Sequence, residues 1–140
     1  MTDSCIYIVT GSNLRSEEFD RPLAYYLRER LLERLGSDHA RRVKVISDIL
    51  YLNSSEIQRC ACVTVGGPDV NAVTSLLFES IPYALAIDDV LVVQMDLLFQ
   101  NQNIALWGMS PEATSDAVEI FMQDRYMGEF VKTMVHRDAA

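Results

Sequence analysis

A short apolar run that ends in two glycines, ACVTVGGPDVN at residues 61–71, decides the fold class. Its first five residues are apolar or β-branched, which favours a β-strand. Gly66, Gly67 and Pro68 then break the strand sharply. The apolar residues that follow recur at helical spacing up to Ser80, and they are Val70, Val73, Leu76, Leu77 and Ile81. The stretch therefore predicts a strand, a tight turn and a helix.

The chain before this unit predicts a second unit of the same kind. Residues 5–10, CIYIVT, form a fully apolar run that stops at Gly11, as a strand buried in a parallel sheet does. A helix follows, with Asp20 or Arg21 as its cap, Pro22 in its first turn and Gly36 at its end. Its leucines share one stripe: Leu23, Leu27, Leu31 and Leu35. Residues 43–52 read as another strand, bent at Asp48.

The chain after this unit predicts an antiparallel hairpin and a last helix. Pro82 ends the preceding helix, and residues 83–87 and 90–99 read as two strands. Only eight residues separate Met95 from the strand that starts at Ile104, too few for a parallel crossover. Ser110 is predicted to cap a long helix with Pro111 at its first position. That helix runs almost to the C-terminus, with Gly128 as a possible kink or break.

Length, charge and cysteine content exclude several classes of protein. A chain of 140 residues fits one domain, here residues 1–140. Its net charge of −8 disfavours nucleic-acid binding, and its apolar runs are too short to cross a membrane. No secretory signal is evident, and three cysteines are an odd number, so a reducing, cytoplasmic location is expected. Cys60 and Cys62 are interpreted as buried, inert thiols, and no metal site is expected.

Three glycine-containing loops follow predicted strands and are expected to meet at one edge of the sheet. They comprise residues 11–15, 66–71 and 108–110. Their glycines let a backbone approach a ligand closely, and hydroxyl, amide and guanidinium groups line the same loops. The 66–71 loop is neither a Walker phosphate loop nor a GxGxxG fingerprint. The candidate ligand-binding residues are Gly11, Ser12, Asn13, Arg15, Gly66, Gly67, Asp69, Asn71, Gly108 and Ser110.

The residues Gly66, Gly67, Pro68 and Asn71, followed by Gly108 and then Thr114 and Ala117, resemble a known pattern. The pattern is strand-GGPxxN, then G, then TxxA, and it belongs to an α/β domain of some prokaryotic proteins, including archaeal surface-layer proteins. The resemblance covers little more than half of the chain. It implies a Rossmann-like fold in which the GGP loop and the Gly108 loop lie side by side, and it implies no reaction.

The expected fold is therefore α/β, a Rossmann-like or flavodoxin-like layered fold. Its sheet is mostly parallel with an antiparallel hairpin, and helices are expected on both faces.

Three functions remain open. The chain is a binding module for a nucleotide-like or other small anionic ligand at the carboxyl edge of the sheet. Alternatively it is a homo-oligomeric structural or interaction protein, such as a homodimer through the apolar 83–99 region.

The third function is a nucleotide-processing enzyme that uses Asp69, Asn71 or Glu79 as polar groups. No catalytic residue is assigned, and no cofactor can be named. The two histidines, His39 and His136, fall outside the three loops, so a triad with Ser12 or Ser110 is not expected.

Overall fold

The computed structural model describes residues 5–36, 42–88 and 90–139, and it contains one six-stranded sheet of order β2-β1-β3-β6-β5-β4. His39 lies outside the described residues. The first four strands in this order are mutually parallel, while β5 and β4 are antiparallel to their neighbours. The predicted mixed sheet, mostly parallel with an antiparallel hairpin, is confirmed. The strands are β1 (Ile6–Thr10), β2 (Val43–Ser47), β3 (Ala61–Val65), β4 (Tyr83–Ile87), β5 (Leu91–Met95) and β6 (Ile104–Gly108).

Helices of very different length connect these strands. Two π-helical turns, Ser16–Asp20 and Asp124–Gly128, precede the first and the last α-helix. Within the described ranges, no helix combines the length and the apolar character needed to cross a bilayer. The α-helices are α1 (Arg21–Leu35), α2 (Asp48–Leu52), α3 (Ser55–Gln58), α4 (Ala72–Leu77), α5 (Pro111–Phe121) and α6 (Glu129–Ala139).

Buried apolar side chains form two clusters, and β1 contributes to both. Ile6 and Ile8 belong to the larger cluster, which includes buried side chains of α1, α5 and α6. Val9 belongs to the smaller cluster, together with Tyr51 of α2 and Val73 of α4. Because successive residues of a strand point to opposite faces, this division follows from the sequence of β1. Each fully buried Leu, Ile or Phe side chain stabilises the fold by about 2 kcal/mol.

The antiparallel part of the sheet is tied to the rest by Gln94 of β5. Its side chain is fully buried. The amide nitrogen donates to the carbonyls of Phe78 at 2.6 Å and Ile81 at 2.9 Å, and the amide oxygen accepts from the Trp107 indole at 2.8 Å. This one residue thereby fixes the segment after α4 against β5 and β6.

The prediction of a bent strand over residues 43–52 is wrong in its second half. The strand ends at Ser47, and α2 begins at Asp48. The Ser47 hydroxyl accepts the backbone N–H of Leu50 at 3.2 Å, which is the bond of a helix N-cap. The strand therefore ends at Ser47 and a helix begins at Asp48, where the sequence predicts a bend within one strand.

The predicted long C-terminal helix is two helices. Helix α5 ends at Phe121, and Gln123 is extended with ψ of 152°. The break therefore lies before Gly128, which closes the second π-helical turn instead. A Cβ at Gly128 would lie 3.1 Å from the Arg34 guanidinium, so this glycine gives that side chain room.

Candidate functional site

The three predicted loops do meet at one edge of the sheet. Strands β1, β3 and β6 are parallel neighbours, so the loops that follow them emerge at the same edge, here called the carboxyl edge. The strand order reverses between β1 and β3, because β2 lies on one side of β1 and β3 on the other. In open α/β sheets such a reversal opens a crevice in which ligands bind. The residues in this crevice therefore decide what the edge can do.

The crevice between the first two loops is closed by direct contact. A Cβ at Gly11 would lie 1.9 Å from the carbonyl oxygen of Val70, so the backbones of the two loops touch. The Asn13 amide donates to that same carbonyl at 2.7 Å, and the Ser16 hydroxyl lies 3.3 Å from it. Two predicted ligand-binding residues, Gly11 and Asn13, thus hold the loops together.

Asn71 is the best-connected side chain of the carboxyl edge, although it is only 1% exposed. Its amide nitrogen donates to the carbonyls of Val9 at 2.9 Å and Val65 at 3.1 Å. Its amide oxygen accepts from the N–H groups of Val73 at 3.0 Å and Thr74 at 3.2 Å. One side chain thereby joins β1, β3 and the start of α4.

The N–H groups at the start of α4 have acceptors from the protein itself. Asp48 accepts the N–H of Ala72 at 2.9 Å through one carboxylate oxygen, and the Ser12 hydroxyl donates to the other. Together with the bonds to Asn71, these contacts occupy the donors that were expected to bind an anion. These N–H groups at the start of α4 are therefore hydrogen-bonded within the chain, and the anion site of the 66–71 loop stays a prediction.

The two glycines of the GGP turn make room for side chains of the chain. Gly66 has φ of 111°, a conformation that favours glycine. A Cβ at Gly66 would lie 2.7 Å from a carboxylate oxygen of Asp20, and one at Gly67 would lie 3.2 Å from the Trp107 ring. The close approach that the glycines permit is thus made to Asp20 and Trp107.

The third loop lies beside the GGP turn, as the backbone bond from Gly66 N–H to Leu106 C=O at 3.0 Å shows. Ser110 caps α5 as predicted, since its hydroxyl accepts the N–H of Ala113 at 3.1 Å. The N–H of Gly108 donates to the Thr114 hydroxyl at 3.1 Å. These bonds fix the loop, and they also use the polar groups predicted to face a ligand.

The sequence analysis missed Asp20 as a functional candidate. It was interpreted as a helix cap, but its side chain makes no cap bond, because the π-helical turn already leads into α1. Asp20 is 5% exposed, and burial raises the pKa of its carboxyl to about 6, against the opposing effects of the Ser16 hydroxyl and Arg15. Nothing in the sequence shows that a π-helical turn directs this carboxyl towards Gly66.

The Ser16 hydroxyl is the side-chain hydrogen-bonding partner of the Asp20 carboxyl, and it also lies 3.3 Å from the Val70 carbonyl. Arg15 and Asp69 are exposed nearby and act on this carboxyl only through their charges. Of the predicted polar residues, Ser12, Asn13, Arg15 and Asp69 are exposed, and Ser12 and Asn13 bond to Asp48 and to the Val70 carbonyl.

A surface groove of about 530 Å³ lies away from the carboxyl edge, against the second half of α1. Its charges are paired within the protein, since Arg30 contacts Glu33 at 2.6 Å and Arg34 contacts Asp124. The groove contains none of the residues predicted to bind a ligand. Its lining residues are Tyr26, Arg30, Glu33, Arg34, Glu119, Met122, Gln123 and Met127.

The cysteines differ more in burial than the sequence suggested. Cys62 is fully buried, and burial raises the pKa of its thiol to about 12. Cys60 is only half-buried, so the expectation of a buried thiol is wrong there. Among the described residues, no cluster of three or more His, Cys, Asp or Glu side chains has the arrangement of a metal site.

No protein-family model fits the chain, and no curated protein is significantly similar to it.

We predict that Asn71→Ala lowers the free energy of unfolding by about 2–4 kcal/mol, because it removes a helix cap and the amide that donates to two backbone carbonyls. Urea unfolding measures this loss. Asn53→Ala is the matched control, since Asn53 is exposed and makes one bond, to the Ile49 carbonyl at 2.8 Å. Equal effects of the two substitutions would contradict the assigned role of Asn71.

We predict that Asp20→Asn stabilises the protein above pH 6 but not near pH 4. The folded-state pKa of about 6 exceeds the ordinary value of 3.8, so the folded carboxyl keeps a proton that the unfolded chain has lost. The wild-type contribution to stability thus falls as pH rises through this window, by on the order of 1 kcal/mol. Thermal unfolding of both proteins at pH 4 and 7.5 measures the difference. Asp69→Asn, which removes an exposed carboxylate, should show no such pH-dependent gain.

Proposed function

We propose that the chain is a homo-oligomeric interaction protein that assembles through the edge strand β4. The proposal rests on the pairing of that strand, which is hydrogen-bonded to another strand on one side only. β4 is the last strand of the sheet and pairs on one side only, with β5. An edge strand of this kind offers a row of backbone N–H and C=O groups to another chain.

The side chains of β4 lack the usual protection against such pairing. Its sequence, YALAI, contains no charged residue and no proline. Tyr83 is 57% exposed and Ile87 is 41% exposed. Among the described residues, no side chain bonds to the backbone of this strand. Proteins that remain monomeric commonly place charges or proline at such an edge.

The opposite edge of the sheet shows the contrast within the same molecule. Strand β2 carries the exposed Lys44, and the Arg28 side chain donates to the Val43 carbonyl at 2.8 Å. A charge and a side-chain hydrogen bond therefore protect this edge. Since only β4 lacks both devices, the proposal assigns the contact to β4.

A second copy of the chain is the partner that suits this strand. Two identical edge strands pair antiparallel about a two-fold axis, with each backbone supplying the donors and acceptors of the other. The chain carries a net charge of −8, which opposes self-association wherever charged surfaces meet. A contact through an uncharged strand avoids that repulsion, and the small Ala84 and Ala86 side chains leave room for close approach.

The strand order and the cysteines support two further parts of the same proposal. The parallel strands follow the order β2-β1-β3-β6, which supports a flavodoxin-like layered fold. The three cysteines are present as thiols, which supports function in a reducing compartment such as the cytoplasm. An enzyme has less support, because Asn71, one of its suggested polar groups, has both amide atoms in structural hydrogen bonds.

We predict that the wild-type protein is a dimer in solution and that Ala86→Lys shifts it to monomer, because the lysine charges of the two paired β4 strands repel each other. Light scattering coupled to size exclusion measures both masses. Ser75→Lys adds the same charge at an exposed position of α4, and this variant should remain dimeric. A monomeric wild type, or a dimer that survives Ala86→Lys, overturns the proposal.

A second candidate function is the binding of a small polar molecule at Asp20. The observation that favours it is a buried carboxylate beside Gly66 at the carboxyl edge, whose pKa burial raises to about 6. The surrounding charges are Arg15, Asp48 and Asp69, so the edge has more negative than positive groups. An uncharged or cationic molecule with hydroxyl or amino donors suits this site better than the anionic ligand predicted from the sequence.

We predict that adenosine raises the midpoint of thermal unfolding more than adenosine monophosphate does, because Asp20 accepts donors and repels phosphate. A ligand at 100 times its Kd adds about 2.7 kcal/mol of stability. The shift should disappear in Asp20→Asn and persist in Asp69→Asn. A larger shift with the phosphate, or none with either compound, rejects this candidate and leaves the dimer proposal untouched.

A further inference from the structure

Two cysteines that are far apart in the sequence precede neighbouring strands. Cys5 stands immediately before Ile6, Cys60 stands immediately before Ala61, and Ile6 and Ala61 are partners in the parallel ladder between β1 and β3. Neighbouring strands lie about 4.8 Å apart. A disulfide requires Cα atoms about 4.4–6.8 Å apart, so the positions of Cys5 and Cys60 fit this requirement.

The side chain of Tyr7 places both thiols on one face of the sheet. Burial raises the pKa of its hydroxyl to about 12, and the nearby Cys5 and Cys60 thiols add to that rise. Cys5 and Tyr7 are two residues apart and so point to the same face of β1. The two sulfur atoms therefore border the same phenol at the amino end of the sheet.

These two cysteines are more exposed to solvent than the third. Cys5 and Cys60 are half-buried, so a reagent in solution can reach them, whereas Cys62 is fully buried. Cys62 lies inside β3, two residues after Cys60, and two residues of extended backbone span about 6.6 Å, which is at the far limit for a disulfide. It is also hydrogen-bonded to the buried Tyr51. The accessible, correctly spaced pair is Cys5 with Cys60.

We propose that Cys5 and Cys60 are a site of reversible disulfide formation that covalently joins β1 to β3. The oxidant is a small-molecule disulfide such as oxidised glutathione. The thiolate of one cysteine attacks a sulfur of glutathione disulfide, which forms a mixed disulfide and expels one glutathione thiolate. The second cysteine thiolate attacks the mixed disulfide and expels the other. The two electrons and the two thiol protons pass to the two glutathione molecules.

The strand ends allow this bond without disturbing the ladder. Both cysteines lie outside the regular strands, so their backbones can adjust by the small distance that S–S bonding needs. The Cys60 thiol is 3.7 Å from the Glu56 carbonyl, a weak contact that the reaction gives up. The bond closes the chain between residues 5 and 60, which restrains the unfolded state and stabilises the folded one.

The test is oxidation of the purified full-length protein with excess oxidised glutathione, followed by intact mass and peptide mapping. The expected product lacks two hydrogen atoms, contains a Cys5–Cys60 peptide pair and unfolds at a temperature several degrees higher. Dithiothreitol should restore the original mass and midpoint. Cys62→Ser is the matched control and should still form the bond.

Cys5→Ser and Cys60→Ser separate the possible results. Each variant should yield only a mixed disulfide with glutathione at the remaining accessible thiol, with no rise in the unfolding midpoint. Wild-type protein that carries two glutathiones, or a map that pairs Cys60 with Cys62, overturns the proposal. Protein that stays fully reduced under conditions that oxidise a control dithiol peptide overturns it as well.

Discussion

The side chain of Asn71 holds the parallel half of the sheet in its observed form. The Val9 carbonyl of β1 and the Val65 carbonyl of β3 both accept from its amide nitrogen. The amide oxygen also caps α4, so strand spacing and helix direction are set together. The Val70 carbonyl, one residue before Asn71, accepts from the Asn13 amide.

This arrangement explains why a glycine-rich edge binds its own chain. A ligand crevice at a strand reversal needs backbone donors that point outwards and loops that stay apart. Here Asp48 and Asn71 take the donors of α4, and Gly11 brings the loops into contact. The glycines are thus required by close packing within the protein.

Local pattern in the sequence was enough for most of the sheet. The spacing between Met95 and Ile104 forced an antiparallel hairpin, and Ser110 with Pro111 marked the start of α5. The same reasoning failed for residues 48–52, since their apolar side chains suit a strand and only the Ser47 cap makes them helical. It also failed for Asp20 and for the Cys5 and Cys60 pair. Their positions depend on a π-helical turn and on the strand order, which no local pattern encodes.

The two ends of the β1 and β3 pair have opposite chemistry. At the carboxyl end, amides and carboxylates join the strands through hydrogen bonds that are always present. At the amino end, Cys5 and Cys60 precede partner positions of the ladder, and the proposed bond between them depends on the redox state of the surroundings. The β1 and β3 pair lies inside the sheet, whereas β4 lies at its edge and carries no charged residue. Self-association through β4 therefore leaves the β1 and β3 pair unchanged, and the redox state of the thiols leaves the edge unchanged, so the two proposals are physically independent.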